Sequence, residues 1–141
     1  MTESPFSDPP ILSGMAQMMG LVLDEWKPGQ VVFSVEVTDI HLNKGGVAHG
    51  GLITTMLDSA LGGALVSQLP KQEWCATTQL STHFISPLNK GERATARGML
   101  VKRGRNVAHL SGELHVGQRL IATATGTWVI WEHKPKSLPG R

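Results

Sequence analysis

NKGGVAHGGLITTMLDSALGGAL, residues 43–65, contains the longest helical pattern of the chain. Its first nine residues are rich in glycine and predict an irregular loop that ends at His49-Gly50-Gly51. After this loop, apolar residues repeat with the 3.6-residue period of an α-helix until Pro70, where a helix cannot continue. We therefore predict one long helix that ends before Pro70. Its apolar face consists of Leu52, Ile53, Met56, Leu57, Ala60, Leu61, Ala64 and Leu65.

The opposite side of the predicted helix is small and polar. It includes the adjacent glycines Gly62 and Gly63, each of which costs about 1 kcal/mol relative to alanine inside a helix. This cost suggests that another element packs closely against them. The same side carries Asp58, the only charged residue between Lys44 and Pro70. A carboxylate on an otherwise uncharged helix favours a functional role over simple solvation.

Strand patterns lie on both sides of the helix. Upstream, two strands are joined at Lys27-Pro28-Gly29-Gln30, which favours a type II turn. Downstream, the pattern predicts four consecutive strands with short connections, and hence an antiparallel meander. The expected strands cover residues 21–26, 31–38, 74–86, 93–103, 106–116 and 119–131.

A short amphipathic helix is predicted near the N-terminus, over about residues 10–19. Its methionine-rich stripe is typical of core filling rather than of a ligand site, and consists of Ile11, Met15, Met18 and Val22. The fold class is therefore α+β, with an antiparallel sheet of five to six strands around one long central helix. We expect a single domain over residues 10–132, flanked by flexible tails at 1–9 and 133–141.

The composition excludes several classes of protein. Hydrophobic residues make up 40% of the 141 residues and charged residues 17%, which is typical of a globular domain. A net charge of +2, with scattered cations, argues against a nucleic-acid partner. No apolar stretch is long enough for a membrane helix, and the N-terminus does not resemble a signal peptide. We therefore expect a cytoplasmic protein that binds neither membranes nor nucleic acid.

Familiar catalytic motifs are also missing. The sequence has no dinucleotide fingerprint, no P-loop, no Gly-x-Ser-x-Gly elbow and no His-Glu-x-x-His. Cys75 is the only cysteine, so we interpret it as a buried thiol rather than a nucleophile. The histidines are dispersed, with His109 and His115 near 20 Å apart along one strand. We therefore expect neither a metal site nor a cofactor.

The start of the long helix has the chemistry of an oxyanion site. The first N–H groups of a helix have no intrahelical partner and carry a partial positive charge, and Gly50 and Gly51 have no side chains that would keep a ligand away. Asp58 could then act as a general base on water, or attack a carbonyl itself. Because Gly50 and Asp58 are eight residues apart, about 12 Å along a helix, a second chain should complete the site.

The loop, the His-Gly-Gly sequence and the acid nine residues after His49 resemble hotdog-fold acyl-CoA thioesterases. The resemblance covers nearly the whole domain. It is greatest to the phenylacetic acid degradation type within the hydroxybenzoyl-CoA thioesterase superfamily. It implies a hotdog fold and a homodimer or homotetramer with its active site at the dimer interface.

The resemblance also implies roles for individual residues. Gly50 would be the oxyanion donor, Asn43 a second group that polarises the carbonyl or the water, and Asp58 the base or nucleophile. The matching hydroxyl would be Thr77, ten residues before Pro87, although the adjacent Thr78 is the match if the alignment shifts by one residue.

Several of these residues have a simpler interpretation. Asn43 could be only a turn residue, because asparagine tolerates left-handed backbone conformations. His49 and Gly51 adjoin Gly50 and are candidate substrate contacts, but His49 could instead hydrogen-bond the loop or cap the helix. Both interpretations remain open for each residue.

A basic turn is the remaining candidate for substrate binding. Lys102, Arg103 and Arg105 surround Gly104 in a predicted hairpin, where they could hold the phosphates of coenzyme A. Many turns are basic for solubility alone.

The sequence thus predicts hydrolysis of an acyl- or aryl-CoA thioester, with coenzyme A as part of the substrate. A non-catalytic acyl-CoA-binding hotdog protein is the alternative, which Asp58 disfavours. A hotdog dehydratase or hydratase is disfavoured because those relatives have a Pro-rich loop at the cleft, whereas Gly-Gly follows His49 here.

Overall fold

A computed structural model of the chain describes residues 4–139. The sheet contains β1 (Val22–Lys27), β2 (Gln30–Glu36), β3 (Trp74–Phe84), β4 (Arg93–Arg103), β5 (Val107–Val116) and β6 (Arg119–Trp131). The helices are α1 (Gly14–Met18) and α2 (Gly50–Val66), with a 3₁₀ turn at Asp39–His41. The predicted α+β class, with one long helix and a six-stranded antiparallel sheet, is confirmed.

The sheet order corrects one prediction. The strands lie in the order β1-β2-β4-β5-β6-β3, so only β4, β5 and β6 form a consecutive meander. β3 instead pairs with β6, through a register that runs from Trp74 opposite Trp131 to Phe84 opposite Ala122. The eight-residue connection from β3 to β4 can make this crossing, since three strand spacings amount to about 14 Å. As a result, β3 is an edge strand, and its outer edge has no partner within residues 4–139.

The N-terminal helix is shorter than predicted. α1 has five residues rather than about ten, because Ser13 is extended and Gly14 has a φ of +56°, a left-handed conformation that interrupts a helix. The expected core stripe does not form either. Ile11 is 95% exposed and Met18 72% exposed, so these side chains lie on the surface.

α2 packs across the inner face of the sheet and buries the whole predicted apolar face. A Cβ at Gly98 of β4 would collide with the backbone of Ala60, so this position requires a glycine where α2 and the sheet meet. The glycines on the other side of α2 are tightly packed as predicted. A Cβ at Gly63 would lie 3.1 Å from Val31, and one at Gly62 would lie 3.4 Å from the ring of Trp128.

Parts of the two predicted tails contact the domain. Ser7 donates two hydrogen bonds to the carbonyl of Leu69, from its N–H at 3.0 Å and from its hydroxyl at 3.1 Å. Near the other end, the ammonium group of Lys134 lies 4.9 Å from the centre of the Trp74 ring. Residues 1–3 and 140–141 lie outside the described residues, and the flexibility of the tails stays a prediction.

Between residues 4 and 139, no helix combines the length and apolar character needed to span a membrane.

Candidate active site

The loop before α2 is closed by backbone hydrogen bonds at its base. The N–H of His49 donates to the carbonyl of His41 at 2.7 Å, and that of Asn43 to the carbonyl of Val47 at 2.8 Å. A third bond, from the N–H of Ala48 to the carbonyl of Leu88 at 2.8 Å, ties the loop to the segment after β3. These bonds fix the position of the first turn of α2.

The first turn of α2 has one unpaired donor at its tip. The imidazole Nδ1 of His49 accepts a hydrogen bond from the N–H of Gly51 at 2.8 Å, so His49 caps the helix. That bond occupies the N–H of Gly51. The N–H of Gly50, by contrast, has no acceptor in the described part of the chain. Gly50 therefore offers the free donor that an oxyanion would need.

Asn43 organises the loop through its side chain. Its Oδ1 accepts hydrogen bonds from the N–H groups of Gly45 at 2.8 Å and Val47 at 3.3 Å, as a turn residue would. Its Nδ2 donates to no acceptor within residues 4–139. Asn43 therefore acts as a turn residue through its side-chain oxygen, while its side-chain nitrogen is free to bind a ligand.

Asp58 forms a pair with a hydroxyl on the facing strand. Its Oδ1 accepts a hydrogen bond from Oγ1 of Thr77 at 2.8 Å. The hydroxyl of Thr78 instead donates to the carbonyl of Thr127 on β6 at 2.9 Å, where the pairing of β3 and β6 is irregular. Of the two threonines, the structure thus places Thr77 against the acid.

Cys75 is a neighbour of this pair on the same face of β3. Burial and the negative charge of Asp58 raise the pKa of its thiol to about 11. The thiol is therefore protonated near neutral pH, which agrees with the interpretation of Cys75 as a buried thiol rather than a nucleophile.

The two candidate groups lie at different points of the same helix and strand. The ring of Phe84, at the end of β3, lies 3.2 Å from where a Cβ of Gly50 would be. Asp58 contacts Thr77, seven residues earlier in β3 and about 23 Å away along the strand. One chain therefore does not bring the Gly50 donor and the Asp58 carboxylate to the same carbonyl.

Comparison with known proteins places this geometry in a family. Residues 45–123, which include the loop from Gly45 onward, both candidate groups and β3 to β5, match the Thioesterase superfamily. The chain belongs to this superfamily. The sequence predicted thioester hydrolysis as the class of reaction, and membership of this superfamily confirms that prediction.

Individual thioesterase relatives agree with this assignment. A Pseudomonas aeruginosa protein that is named as an esterase is 32% identical over 99 residues. The match covers 70% of this chain and 74% of that protein. The medium/long-chain acyl-CoA thioesterase YigI of Escherichia coli is 34% identical over 98 residues, 60% of this chain and 63% of YigI.

A solved structure extends the similarity to the fold. A variant of the phenylacetic acid degradation protein PaaI from Thermus thermophilus superimposes with a TM-score of 0.76 at 30% identity. The match covers 81% of this chain and 96% of PaaI. The predicted hotdog fold and the resemblance to thioesterases of the phenylacetic acid degradation type are confirmed.

Two cavities flank the Gly50 donor of this thioesterase. One has a volume of about 360 Å³ and lies between Gly50, Ile53 and the segment from Phe84 to Leu88. The other has a volume of about 250 Å³ and lies between α1 and the start of α2. Its lining includes Met15, Met19 and Leu52. A carbonyl bound at Gly50 would thus have space on both sides.

The basic turn contains one cation that is already paired. Both terminal nitrogens of Arg103 donate to the carboxylate of Glu73, at 2.8 and 2.9 Å. The hydrogen bonds that Arg103 donates to Glu73 also raise the pKa of Arg103. Lys102 and Arg105 are exposed and form no ion pair with another described residue. Their side chains, unlike that of Arg103, are free to meet a phosphate.

Within residues 4–139, no group of three potential metal ligands comes together.

Sequence reasoning missed two residues near the site. Phe84 covers Gly50, and a ring so close to a helix start has no signature in the sequence. His41 is buried beneath the loop, and its position eight residues before His49 gave no sign of its contacts.

Proposed function

We propose that this chain hydrolyses an acyl- or aryl-CoA thioester to a free carboxylic acid and coenzyme A, at a site formed by two subunits. The proposal rests on one observation. The chain carries a free N–H at the tip of α2 and a carboxylate–hydroxyl pair halfway along it, too far apart to act on one carbonyl. In a symmetric dimer, the Gly50 of one subunit could face the Asp58 of its partner, and this would occur twice.

The donor half of the site would stabilise negative charge. As the thioester carbonyl is attacked, its oxygen becomes an oxyanion, which the N–H of Gly50 and the dipole of α2 would stabilise. The free Nδ2 of Asn43 belongs to the same loop and is the second candidate donor. Because Gly50 has no side chain, the thioester carbonyl can come close to its N–H.

The acid half would generate the nucleophile. Asp58 would either take a proton from water as it attacks the carbonyl carbon, or attack that carbon itself to form an anhydride that water then hydrolyses. In both cases the C–S bond breaks, the thiolate leaves and takes up a proton, and one water molecule is consumed. The hydroxyl of Thr77 would hold the carboxylate in the orientation needed for either step.

Free cations near the acid half suit the phosphates of coenzyme A. Strand pairing aligns Arg103 of β4 with Ala108 of β5, Ala108 with Trp128 of β6, and Trp128 with Thr77 of β3. Lys102 and Arg105, on either side of the Arg103–Gly104 pair, therefore lie at the same end of the sheet as Thr77. We expect a KM that rises with salt in the wild type and loses this dependence in a Lys102→Ala, Arg105→Ala variant. Equal salt dependence in both proteins would contradict a phosphate contact here.

The activity test is release of free thiol from a panel of acyl- and aryl-CoA esters. The wild type should hydrolyse at least one ester, and Asp58→Asn should lower kcat by about 10² to 10⁴-fold, the usual contribution of a general base. The matched control is Asp39→Asn, which removes an exposed carboxylate paired with Lys90 outside the site and should leave kcat unchanged. Full activity in Asp58→Asn would exclude the mechanism. Tight binding of the esters without turnover would identify a binding protein instead.

A further inference from the structure

A buried histidine connects α1 to the loop before α2. His41 is only 4% exposed and closes the 3₁₀ turn. Its Nε2 contacts the carbonyl oxygen of Met19, the residue that caps the C-terminus of α1, at 2.7 Å. Its Nδ1 contacts the N–H of Thr38 at 3.0 Å, and its own carbonyl accepts the N–H of His49. One residue thus joins α1, the turn and the start of the candidate oxyanion site.

These partners determine the tautomer of His41. The carbonyl of Met19 can only accept a hydrogen bond, so Nε2 carries a proton and donates. The N–H of Thr38 can only donate, so Nδ1 has no proton and accepts. The ring is therefore neutral and both of its nitrogens are satisfied, as a buried imidazole requires.

α1 has few other contacts with the domain. Ala16 packs against the core and its carbonyl accepts a hydrogen bond from the N–H of Leu21 at 3.0 Å, but none of the five residues of α1 is buried, and the helix begins at a left-handed glycine. The hydrogen bond from His41 therefore provides a specific attachment at its C-terminal end. On the side facing α2, α1 forms one wall of the 250 Å³ cavity through Met15 and Met19. The other wall is formed by the turn and the start of α2, at Ile40, Leu42 and Leu52.

The cavity has the character of an acyl-binding pocket. It adjoins His49 and Gly51, on either side of the free donor of Gly50. Its lining is mostly apolar, and methionines adapt to ligands of different shape. The cavity has a volume of about 250 Å³ and is partly open to solvent, so an acyl group bound at Gly50 could enter it.

We propose that His41 is a positioning residue that holds α1 as the wall of this acyl pocket and thereby sets which acyl groups the enzyme accepts. The inference rests on the proposed thioesterase function. The limit on acyl length is set by how far α1 places the side chains of Met15 and Met19 across the cavity. The position of α1 depends on the hydrogen bond between His41 and Met19.

Two substitutions separate the two hydrogen bonds of the ring. The longer side chain in His41→Gln can still donate to the carbonyl of Met19 but loses the acceptor for Thr38. The shorter side chain in His41→Asn can still accept from Thr38 but does not reach Met19. We would measure kcat and KM of both variants for acetyl-, octanoyl- and palmitoyl-CoA, together with thermal unfolding. In the same series, Met15→Ala widens the cavity, and Met18→Ala is the matched control because Met18 lies on the exposed side of α1.

The expected result is a change in selectivity without a general loss of activity. His41→Asn should raise the KM for octanoyl-CoA by about tenfold relative to acetyl-CoA, as expected for loss of one buried hydrogen bond, with kcat little changed. His41→Gln should retain the wild-type profile. Met15→Ala should shift the preference towards palmitoyl-CoA, and Met18→Ala should have no effect. If His41→Asn does not fold, Met15→Ala still tests the acyl pocket, because Met15 is 59% exposed and its truncation should leave the protein folded.

Other outcomes would overturn the proposal. A role of His41 in folding alone predicts that both His41 variants lose stability and lower activity equally on every ester. An unchanged acyl profile in Met15→Ala would exclude the cavity as the acyl pocket. In both cases the wild type remains a thioesterase, so the inference fails by itself. If the wild type hydrolyses none of the esters, the proposed function fails and the inference fails with it.

Discussion

The N-terminus of α2 and its middle differ in how the chain holds them. At the N-terminus, backbone hydrogen bonds close the loop, His49 caps the helix, and the N–H of Gly50 has no acceptor among residues 4–139. In the middle, Asp58 is held by one side-chain hydrogen bond from the edge strand β3. The first region is a rigid donor and the second a carboxylate near an unpaired strand edge. The difference supports the proposal that one chain supplies two complementary half-sites rather than one complete site.

Electrostatics explains why the two regions have opposite roles. A helix N-terminus carries partial positive charge and attracts an anion, so it suits an oxyanion. The middle of a helix has no exposed backbone donors, so the charge of Asp58 needs a partner from another element. Thr77 provides that partner without neutralising the carboxylate.

Removal of the Gly50 donor is expected to have the largest effect. Gly50→Pro eliminates the N–H but keeps the helix start, because proline is favoured at the first helical position. The backbone before it is also compatible, since His49 has a ψ of 139°, in the region that a following proline prefers. We expect kcat to fall by about 10² to 10³-fold, the usual cost of one oxyanion donor.

The matched control is Gly50→Ala. Its Cβ crowds the Phe84 ring in the same way, at 3.2 Å, but the N–H remains. Kinetics on the best ester of the panel would compare the two variants. Equal losses in both would mean that crowding at Phe84, and not the donor, matters at this position.

Loss of the hydroxyl beside Asp58 should have a smaller effect. Thr77→Ala removes a hydrogen bond to a charged group, which is worth about 1.5 to 3 kcal/mol, so we expect kcat to fall by roughly 10 to 100-fold. Thr77→Ser should recover most of the activity. Thr78→Ala is the control, because the hydroxyl of Thr78 donates to the carbonyl of Thr127 on β6 rather than to Asp58. The pairing would have no catalytic value if Thr77→Ala and Thr78→Ala had the same activity.

The smallest expected effect is on the thiol of Cys75. Because its pKa is raised to about 11 by burial and by the charge of Asp58, alkylation by iodoacetamide should be slow at pH 8 and accelerate towards pH 11. Asp58→Asn should shift this profile to lower pH, since one cause of the raised pKa is removed. A profile that does not move would show that the two groups do not interact.

The same raised pKa has a consequence for stability. Between the ordinary thiol pKa of 9.0 and the raised value of about 11, the unfolded chain loses the proton that the folded chain retains. The contribution of Cys75 to stability is therefore complete below pH 9 and is lost as the pH rises through 11. Chemical denaturation of the wild type and Cys75→Ala at pH 8 and 10.5 would measure this difference.

The sequence predicted most of the fold because the elements have strong periodic patterns. The face of α2, the strand bounds of β4 to β6 and the Pro28-Gly29 turn, where Gly29 has a φ of +78°, were all local signals. The position of β3 was predicted wrongly, because strand order depends on long-range packing that a short connection does not reveal. The stripe from Ile11 to Val22 was wrongly predicted to be the core face of one helix, because residue spacing alone does not show that the backbone is left-handed at Gly14.

The candidate site was predictable where a motif and a helix start coincide. Gly50 was predicted from two glycines at a helix start, and Asp58 from its being the only charge on that helix together with the family resemblance. The choice between Thr77 and Thr78 required the contact that each hydroxyl makes. The pairing of Arg103 with Glu73 joins residues 30 positions apart and could not be read from the turn alone. The buried link from His41 to Met19 was missed for the same reason.

A subunit-mixing experiment tests the shared site most directly. Gly50→Pro and Asp58→Asn proteins should each be nearly inactive, and they would be unfolded together, refolded, and checked for hybrid dimers by native mass spectrometry. In a random mixture half of the dimers are hybrids with one intact site, so activity should return to about a quarter of the wild type. Verified hybrids without activity, or a fully active wild-type monomer, would contradict a site formed by two subunits.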